Sequence, residues 1–409
     1  MKTTLTTTIL LLFTQFCFAQ DFWIELDFPE ETTFSALAGN SEGWIFGASP
    51  KGVYVSFDNG LNWSNTSLSN STYRIIVDNE DRIFATIYPN IYYSVDNSVS
   101  WNVIVCPSVG IMTLYVNNNT IVFGNWGSIY KSSDFGETWN QVLDFDIDGT
   151  VVNAIVEKNT DGVLFAGVTA FMGGGGVYRS LNNGDTWGLA GLHNKYISSL
   201  AISSSGVLFA GSRGDHEYGG GGVFRSEDNG ITWEEVAYDV WVTSMAIDPF
   251  DVLYIGCTNE NGGQGGVFRS IDNGESWELI VSGMGNYPNV DGLSIAPDGY
   301  LYAYGNYLYR SAEPIFSPNS IYEPEINEFK IFPNPFNDFV NIVLPSVLQN
   351  NSSINIMIYD NFGKSVFKQK FNGNNDITVN LSSLKSGLYY LAIELNGHRY
   401  TKTILKVSR

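Results

Sequence analysis

Apolar residues in this chain fall in short runs, strand-length rather than helix-length, and the runs are punctuated by one recurring polar phrase. The phrase, Ser-x-Asp-x-Gly-x-Thr-Trp, returns six times, at Ser56–Trp63, Ser94–Trp101, Ser132–Trp139, Ser180–Trp187, Ser226–Trp233 and Ser270–Trp277. Successive serines lie 38, 38, 48, 46 and 44 residues apart. A four-stranded antiparallel unit repeated at about 40–50 residues has the period of a propeller blade. The pattern therefore predicts an all-β repeat protein.

The chemistry of the phrase explains its recurrence. An Asp carboxylate can accept N–H bonds in a tight turn, Gly supplies a positive φ, and Trp can fold back over the hairpin. These residues resemble the Asp-box (BNR) repeats of sialidases, some glycosidases, sortilin-like receptors and photosystem assembly factors, all β-propellers. Two copies depart from the pattern, with Ser98 in place of Gly and Asn182 in place of Asp, and weaker hairpins are expected there. Tyr309-Arg310-Ser311 repeats the strand end seen before the other boxes, 41 residues after Ser270, but no closing strand follows. Phe22-Trp23-Ile24-Glu25-Leu26 reads like the strands after Trp233 and Trp277 and is expected to supply it, closing the ring and covering an edge. The expectation is a seven-bladed β-propeller over residues 20–312.

The ends carry different signals. Lys2, the apolar run Ile9–Phe13 and Cys17-Phe18-Ala19 read as a secretory signal over residues 1–19. No other apolar run approaches the roughly 18 residues of a membrane span, so no transmembrane segment is expected in the mature chain. Cys106 and Cys257 fall in different repeats and are expected to be buried and unbridged. Pro314, Pro318 and Pro324 mark residues 313–328 as a linker. Beyond it, alternating strands with Gly turns read as a small Ig-like β-sandwich, residues 329–409. Four segments there, Phe332–Phe336, Ile356–Lys364, Leu381–Leu391 and Lys402–Lys406, closely resemble the type A sorting domain of the Bacteroidetes type IX secretion system. The resemblance implies export through that machinery and a final location secreted or on the outer cell surface.

Charge divides at the same boundary. Residues 329–409 hold 9 basic and 4 acidic side chains, net +5, whereas residues 20–328 hold 11 basic and 38 acidic, net −27. The acidic part disfavours nucleic acid and anionic membranes as partners and steers cationic or neutral ligands toward itself.

Candidate binding residues follow from the blade geometry. With the box between third and fourth strands, the second-to-third loops emerge at the opposite end, and three of them are enlarged: Thr169–Gly176, Ser212–Gly222 and Thr258–Gly266. Loops on a rigid scaffold are favoured places for binding chemistry; the plainer reading is Gly-rich hairpin tips. The candidates for a glycan, or an extracellular protein or peptide, are Trp126, Phe171, Arg213, Asp215, His216, Glu217, Tyr218, Trp241, Asn259 and Glu260. Asp215 and Glu217 have acid/base character and His216 could shuttle protons, but the three histidines of the chain show no zinc spacing. Arg213-Gly214-Asp215 also spells an adhesion tripeptide, too short to carry weight. A sialidase assignment needs three substrate-clamping arginines. Arg179, Arg225, Arg269 and Arg310 share one repeated scaffold position, leaving Arg74, Arg82 and Arg213. A xyloglucanase-like hydrolase would need two facing carboxylates. The reading therefore leans toward a non-catalytic binder, with an extracellular glycoside hydrolase as its rival. No cofactor is expected other than calcium at Asp144, Asp146 and Asp148, an incomplete oxygen-ligand pattern before Gly149.

Overall fold

The computed structural model describes residues 21–29, 32–158, 162–214, 221–259, 264–286, 288–316, 330–343, 353–359, 365–372, 376–395 and 398–407. The signal-like segment 1–19, the loop residues Asp215 to Tyr218, Glu260 and the turn 360–364 lie outside them. The chain divides into two units, Met1–Phe316 and Ser317–Arg409.

Seven four-stranded antiparallel sheets build the first unit. The first sheet pairs Ala36–Gly39, Ile45–Ser49, Gly52–Ser56 and Ser64–Asn65 in chain order, and the next five repeat this plan. In the seventh, Val290–Ile295, Leu301–Gly305 and Leu308–Ser311 are completed by Trp23–Leu26 from the other end of the chain. Its register, Trp23 opposite Ser311 and Leu26 opposite Leu308, is the strand exchange expected from the sequence. The first strand of each sheet touches the first strand of the next, from Ala36–Gly39 round to Val290–Ile295 and back, so the sheets form a closed ring.

The core is made between neighbouring sheets. Opposite each box serine, or Ser311 in the seventh sheet, the second strand would place an inward residue, and Ile45, Ile83, Ile121, Leu164, Leu208, Leu253 and Leu301 are all fully buried. The next position is a buried Phe or Tyr in six sheets and Val122 in the third. This repeat escaped the sequence reading because apolar strand residues vary more than the polar turn.

In each box the serine hydroxyl donates to the side-chain oxygen of the Asp or Asn two residues on and accepts the N–H four residues on. In the third box Ser132 Oγ lies 2.7 Å from Asp134 Oδ1, which also accepts the Thr138 N–H at 2.9 Å, while Thr138 Oγ1 donates to Oδ2 at 2.5 Å. The two divergent copies keep this network. Ser98 adopts the positive φ of 69° and donates its N–H to Ser94 Oγ at 2.9 Å. Asn182 Oδ1 accepts the Thr186 N–H at 3.0 Å. The box tryptophans are half-buried, and Trp139 and Trp277 donate indole N–H bonds to Val105 and Val236 on the preceding sheet. The arginines before the boxes are also scaffold: Arg179, Arg225 and Arg310 donate to the carbonyls of Asn229, Asn273 and Asn59 in the next box round the ring.

The hydrogen bonds from Ser100, Thr138 and Thr232 pull the carboxyls of Asp96, Asp134 and Asp228 down to about 2. A folded-state pKa below the unfolded value of roughly 4 contributes stability above pH 4 that disappears as pH falls toward 2. Thermal denaturation is therefore expected to show a melting temperature that falls across pH 4 to 2, and less steeply in Asp134→Asn/Asp228→Asn. An equal fall in the double variant would show that the boxes are not the acid-sensitive element.

Cys106 and Cys257 are unbridged, Cys106 only partly buried and Cys257 fully so, and burial pushes both thiols up to about 12. The first unit runs to Phe316 rather than ending at 312. Ile315 donates its N–H to Gly299 at 2.7 Å and the Phe316 ring packs edge-on against Phe250, because apolar side chains inside the Pro-rich stretch still find the seventh and sixth sheets.

The second unit contains a three-stranded sheet, Lys330–Phe332, Phe339–Val343 and Asp376–Asn380, and a four-stranded sheet in the order Ser365–Asn372, Ser353–Tyr359, Gly387–Leu395 and His398–Lys406. One apolar cluster, with Phe336, Ile342, Ile358, Val379, Leu391 and Ile404, joins them. Lys406 ends the last of these strands. It is 6% exposed, donating to the carbonyls of Asn337 at 2.5 Å and Leu381 at 2.8 Å, over the Phe336 ring.

Candidate functional site

The ring of first strands surrounds a central opening that widens, at the end opposite the boxes, into a cavity of about 780 Å³ lined from all seven sheets. Much of its polar lining is already engaged. Ser35 Oγ donates to Tyr73 O, Arg74 Nε to Met112 O, Asn153 Nδ2 to Ile197 O, Ser198 Oγ to Val242 O and Thr243 Oγ1 to Val290 O. Each bond runs from one first-strand region to the next round the ring. These side chains stitch the opening, because a buried donor without an acceptor would be costly.

The lining also includes Tyr73, Phe171, Tyr196, Arg213, Trp241 and Asp291. Phe171 is 65% exposed and packs edge-on against Tyr196 at 5.5 Å. Its loop is not a loose Gly-rich tip: Asn194 Oδ1 accepts the Gly174 N–H at 3.0 Å, and the Asn194 N–H donates to Gly175 O at 2.9 Å. Arg213 is exposed at the end of its strand. Trp241 is half-buried and close to Gly214, where a Cβ would stand 2.9 Å from the indole nitrogen. Asn259 donates its N–H to Asn289 Oδ1 at 2.9 Å.

The structure thus gathers Phe171, Arg213 and Trp241 at one mouth, while Trp126 stands apart between two lesser cavities. Tyr73, Tyr196 and Asp291 were missed. The first two lie at or just before the start of a first strand, a placement that the position of the repeated boxes would have revealed.

Among the described residues lining the mouth, Asp291 is the one carboxylate, so the described lining contains no facing acid pair. Of the three arginines left for an anion clamp, Arg74 and Arg213 line the mouth. Arg82 instead pairs with Asp78 at 2.6 Å and donates to Asn118 O. The calcium candidates are Asp144, Asp146 and Asp148. All three are exposed, Asp144 Oδ1 accepts the Asp146 N–H at 3.2 Å, and no metal-holding group of three His, Cys, Asp or Glu forms among the described residues.

Comparison with known proteins bears on the two units differently. Residues 330–407 match the family described as the secretion system C-terminal sorting domain. An endo-acting ulvan lyase of Formosa agariphila is 31% identical over 80 residues, 19% of this chain and 15% of that protein. Among solved structures, an ancestral GH74 enzyme aligns with TM-score 0.57 and 16% identity over 95% of this chain and 64% of that one. PorZ, a surface component of the Porphyromonas gingivalis type IX secretion system, aligns with TM-score 0.52 and 14% identity over 93% of this chain and 60% of that one. The chain thus spans less than two thirds of each of these relatives. At such identity the likeness is one of fold, and the fold is that of a β-propeller. The sorting domain marks the chain for export to the outer surface or beyond, and among the described residues no helix is long and apolar enough to cross a membrane.

Proposed function

We propose that the chain is a seven-bladed propeller of the Asp-box type, delivered by its Ig-like sorting module, that binds a glycan or protein outside the cell at the mouth of its central opening. The observation that carries this reading is the convergence of Phe171, Arg213 and Trp241 on one cavity lined from all seven sheets. Concave sites with aromatic walls and few convergent polar groups are favoured ligand sites. The box serines, aspartates and tryptophans sit at the other end and are occupied in the scaffold, which supports a structural role for them. The hydrolase alternative, suggested by likeness of fold to the GH74 enzyme, needs two acids on facing loops; the single carboxylate of the described lining favours binding over catalysis.

Screening the full chain against a polysaccharide panel, for binding and for release of reducing ends, tests the reading. Replacing residues 213–218 by a short Gly-Ser turn should abolish binding while leaving the melting temperature nearly unchanged, because loop closure depends only weakly on length. Full affinity in the shortened variant would move the site away from the mouth, and sugar release would replace the binder by the enzyme.

A further inference from the structure

A second cavity at the same end, between the second and third sheets, borders the mouth and shares Ser35, Tyr73, Arg74 and Met112 with it. It measures about 460 Å³ and is walled by Tyr88, Pro89, Val109, Ile111, Met112 and Trp126. Trp126 stands at the apex of the turn between Thr120–Gly124 and Ser128–Ser132 with 69% of its surface exposed. The turn is rigidly built. Asn125, 4% exposed, exchanges backbone bonds with Ser128 and Val152, accepts the Ser128 N–H on its side-chain oxygen, and donates to Ser108 Oγ at 2.8 Å. A large ring is thereby held out in water, with Tyr88 also 69% exposed across the cavity, although an apolar surface of this kind is expected to be covered by something. Trp126 also lines a smaller cavity of about 340 Å³, with Ile147, Asp148 and Gly149.

The chemistry of the two cavities differs. Several polar groups of the larger one are turned back into the fold: Arg74 donates to Met112 O and Ser35 O, Thr86 Oγ1 accepts the Arg74 N–H, and Asn90 Oδ1 accepts the Cys106 N–H. A sugar ring would bring hydroxyls that need partners, and burying them without any is costly. An aliphatic or aromatic side chain has no such need. The smaller cavity instead presents the exposed carboxylate of Asp148, in a region where residues 20–328 carry 38 acidic against 11 basic side chains.

We propose that Trp126 and its two flanking cavities form an anchor site for an extended basic segment of a partner polypeptide. An apolar side chain enters between the second and third sheets, and a neighbouring Lys or Arg crosses the Trp126 face toward Asp148. Cations are attracted to the indole face, and Trp is enriched among residues that dominate binding energy. This deepens the binding reading by naming a polypeptide rather than a glycan, and it rests on that reading only for the choice of face.

Selection of random displayed dodecapeptides on the immobilised full chain, with parallel selections on Trp126→Ala and Arg213→Ala, tests it. Enriched peptides should pair an apolar residue with Lys or Arg, bind Trp126→Ala about tenfold or more weakly, and bind Asp148→Asn with reduced salt dependence. Exposure of Trp126 means that its replacement should leave the melting temperature unchanged. Peptides lost in Arg213→Ala but not in Trp126→Ala overturn this site and leave the channel-mouth reading standing. Indifference to both variants overturns both. Neutral oligosaccharides that quench Trp126 and displace the selected peptides overturn the polypeptide in favour of a glycan.

Discussion

A chain lacking residues 329–409 is expected to remain in the cell envelope as a folded protein, with nearly complete loss from the surface and the medium. The Met1–Phe316 and Ser317–Arg409 units each have their own apolar core, and the sorting-domain match lies wholly within the second. Domains with separate cores fold independently in principle, so removal of the second should not unfold the first. Fractionation with immunodetection, together with protease resistance of the retained protein, measures both halves of the expectation. Normal export of the shortened chain would refute the role of residues 330–407 as an address, and a protease-sensitive retained chain would refute the independence of the units.

Replacing Trp23 by Ala should destabilise the first unit by about 3–5 kcal/mol, the range for truncating a buried Trp or Phe. Trp23 is 1% exposed, sits on the strand that completes the seventh sheet, and donates its indole N–H to Ile280 O at 2.7 Å. Its own N–H reaches Ser282 O, so this residue ties the first strand to both the sixth and seventh sheets. The variant loses packing, leaves the Ile280 carbonyl without its donor and loosens the closure of the ring. Because whole domains are stable by only about 5–15 kcal/mol, the loss is a large share of the total. Chemical denaturation of Trp23→Ala beside Glu25→Ala measures it; Glu25 is exposed on the same strand and should shift stability by no more than about 0.5 kcal/mol. Equal effects of the two substitutions would mean that ring closure does not depend on this strand.

The boxes were legible because their chemistry is local. Ser, Asp and Gly within five positions close a turn whatever surrounds them, and their spacing revealed the period of the repeat. The N-terminal closing strand was legible for a related reason: the seventh repeat lacked a piece, and residues 22–26 had the matching pattern of apolar and acidic positions.

The candidate site was only partly legible. Enlarged loops pointed to Phe171, Arg213 and Trp241, which line one cavity, while five of the ten candidates, Asp215 to Tyr218 and Glu260, lie outside the described residues. Asn153, Ser198 and Thr243 each hold the carbonyl of a neighbouring first strand. Trp126, first grouped with the loops of the later repeats, proved to stand on the third sheet beside its own cavities. Turn-forming residues, repeat period and the charge boundary act within a few positions, or add up along the chain, so the sequence alone determined the repeat, the closing strand and the export module. Which polar groups are consumed by stitching and which aromatics share a cavity depends on contacts between residues some 40 positions apart, as from Asn153 to Ile197, and those distances were decided only when the ring closed.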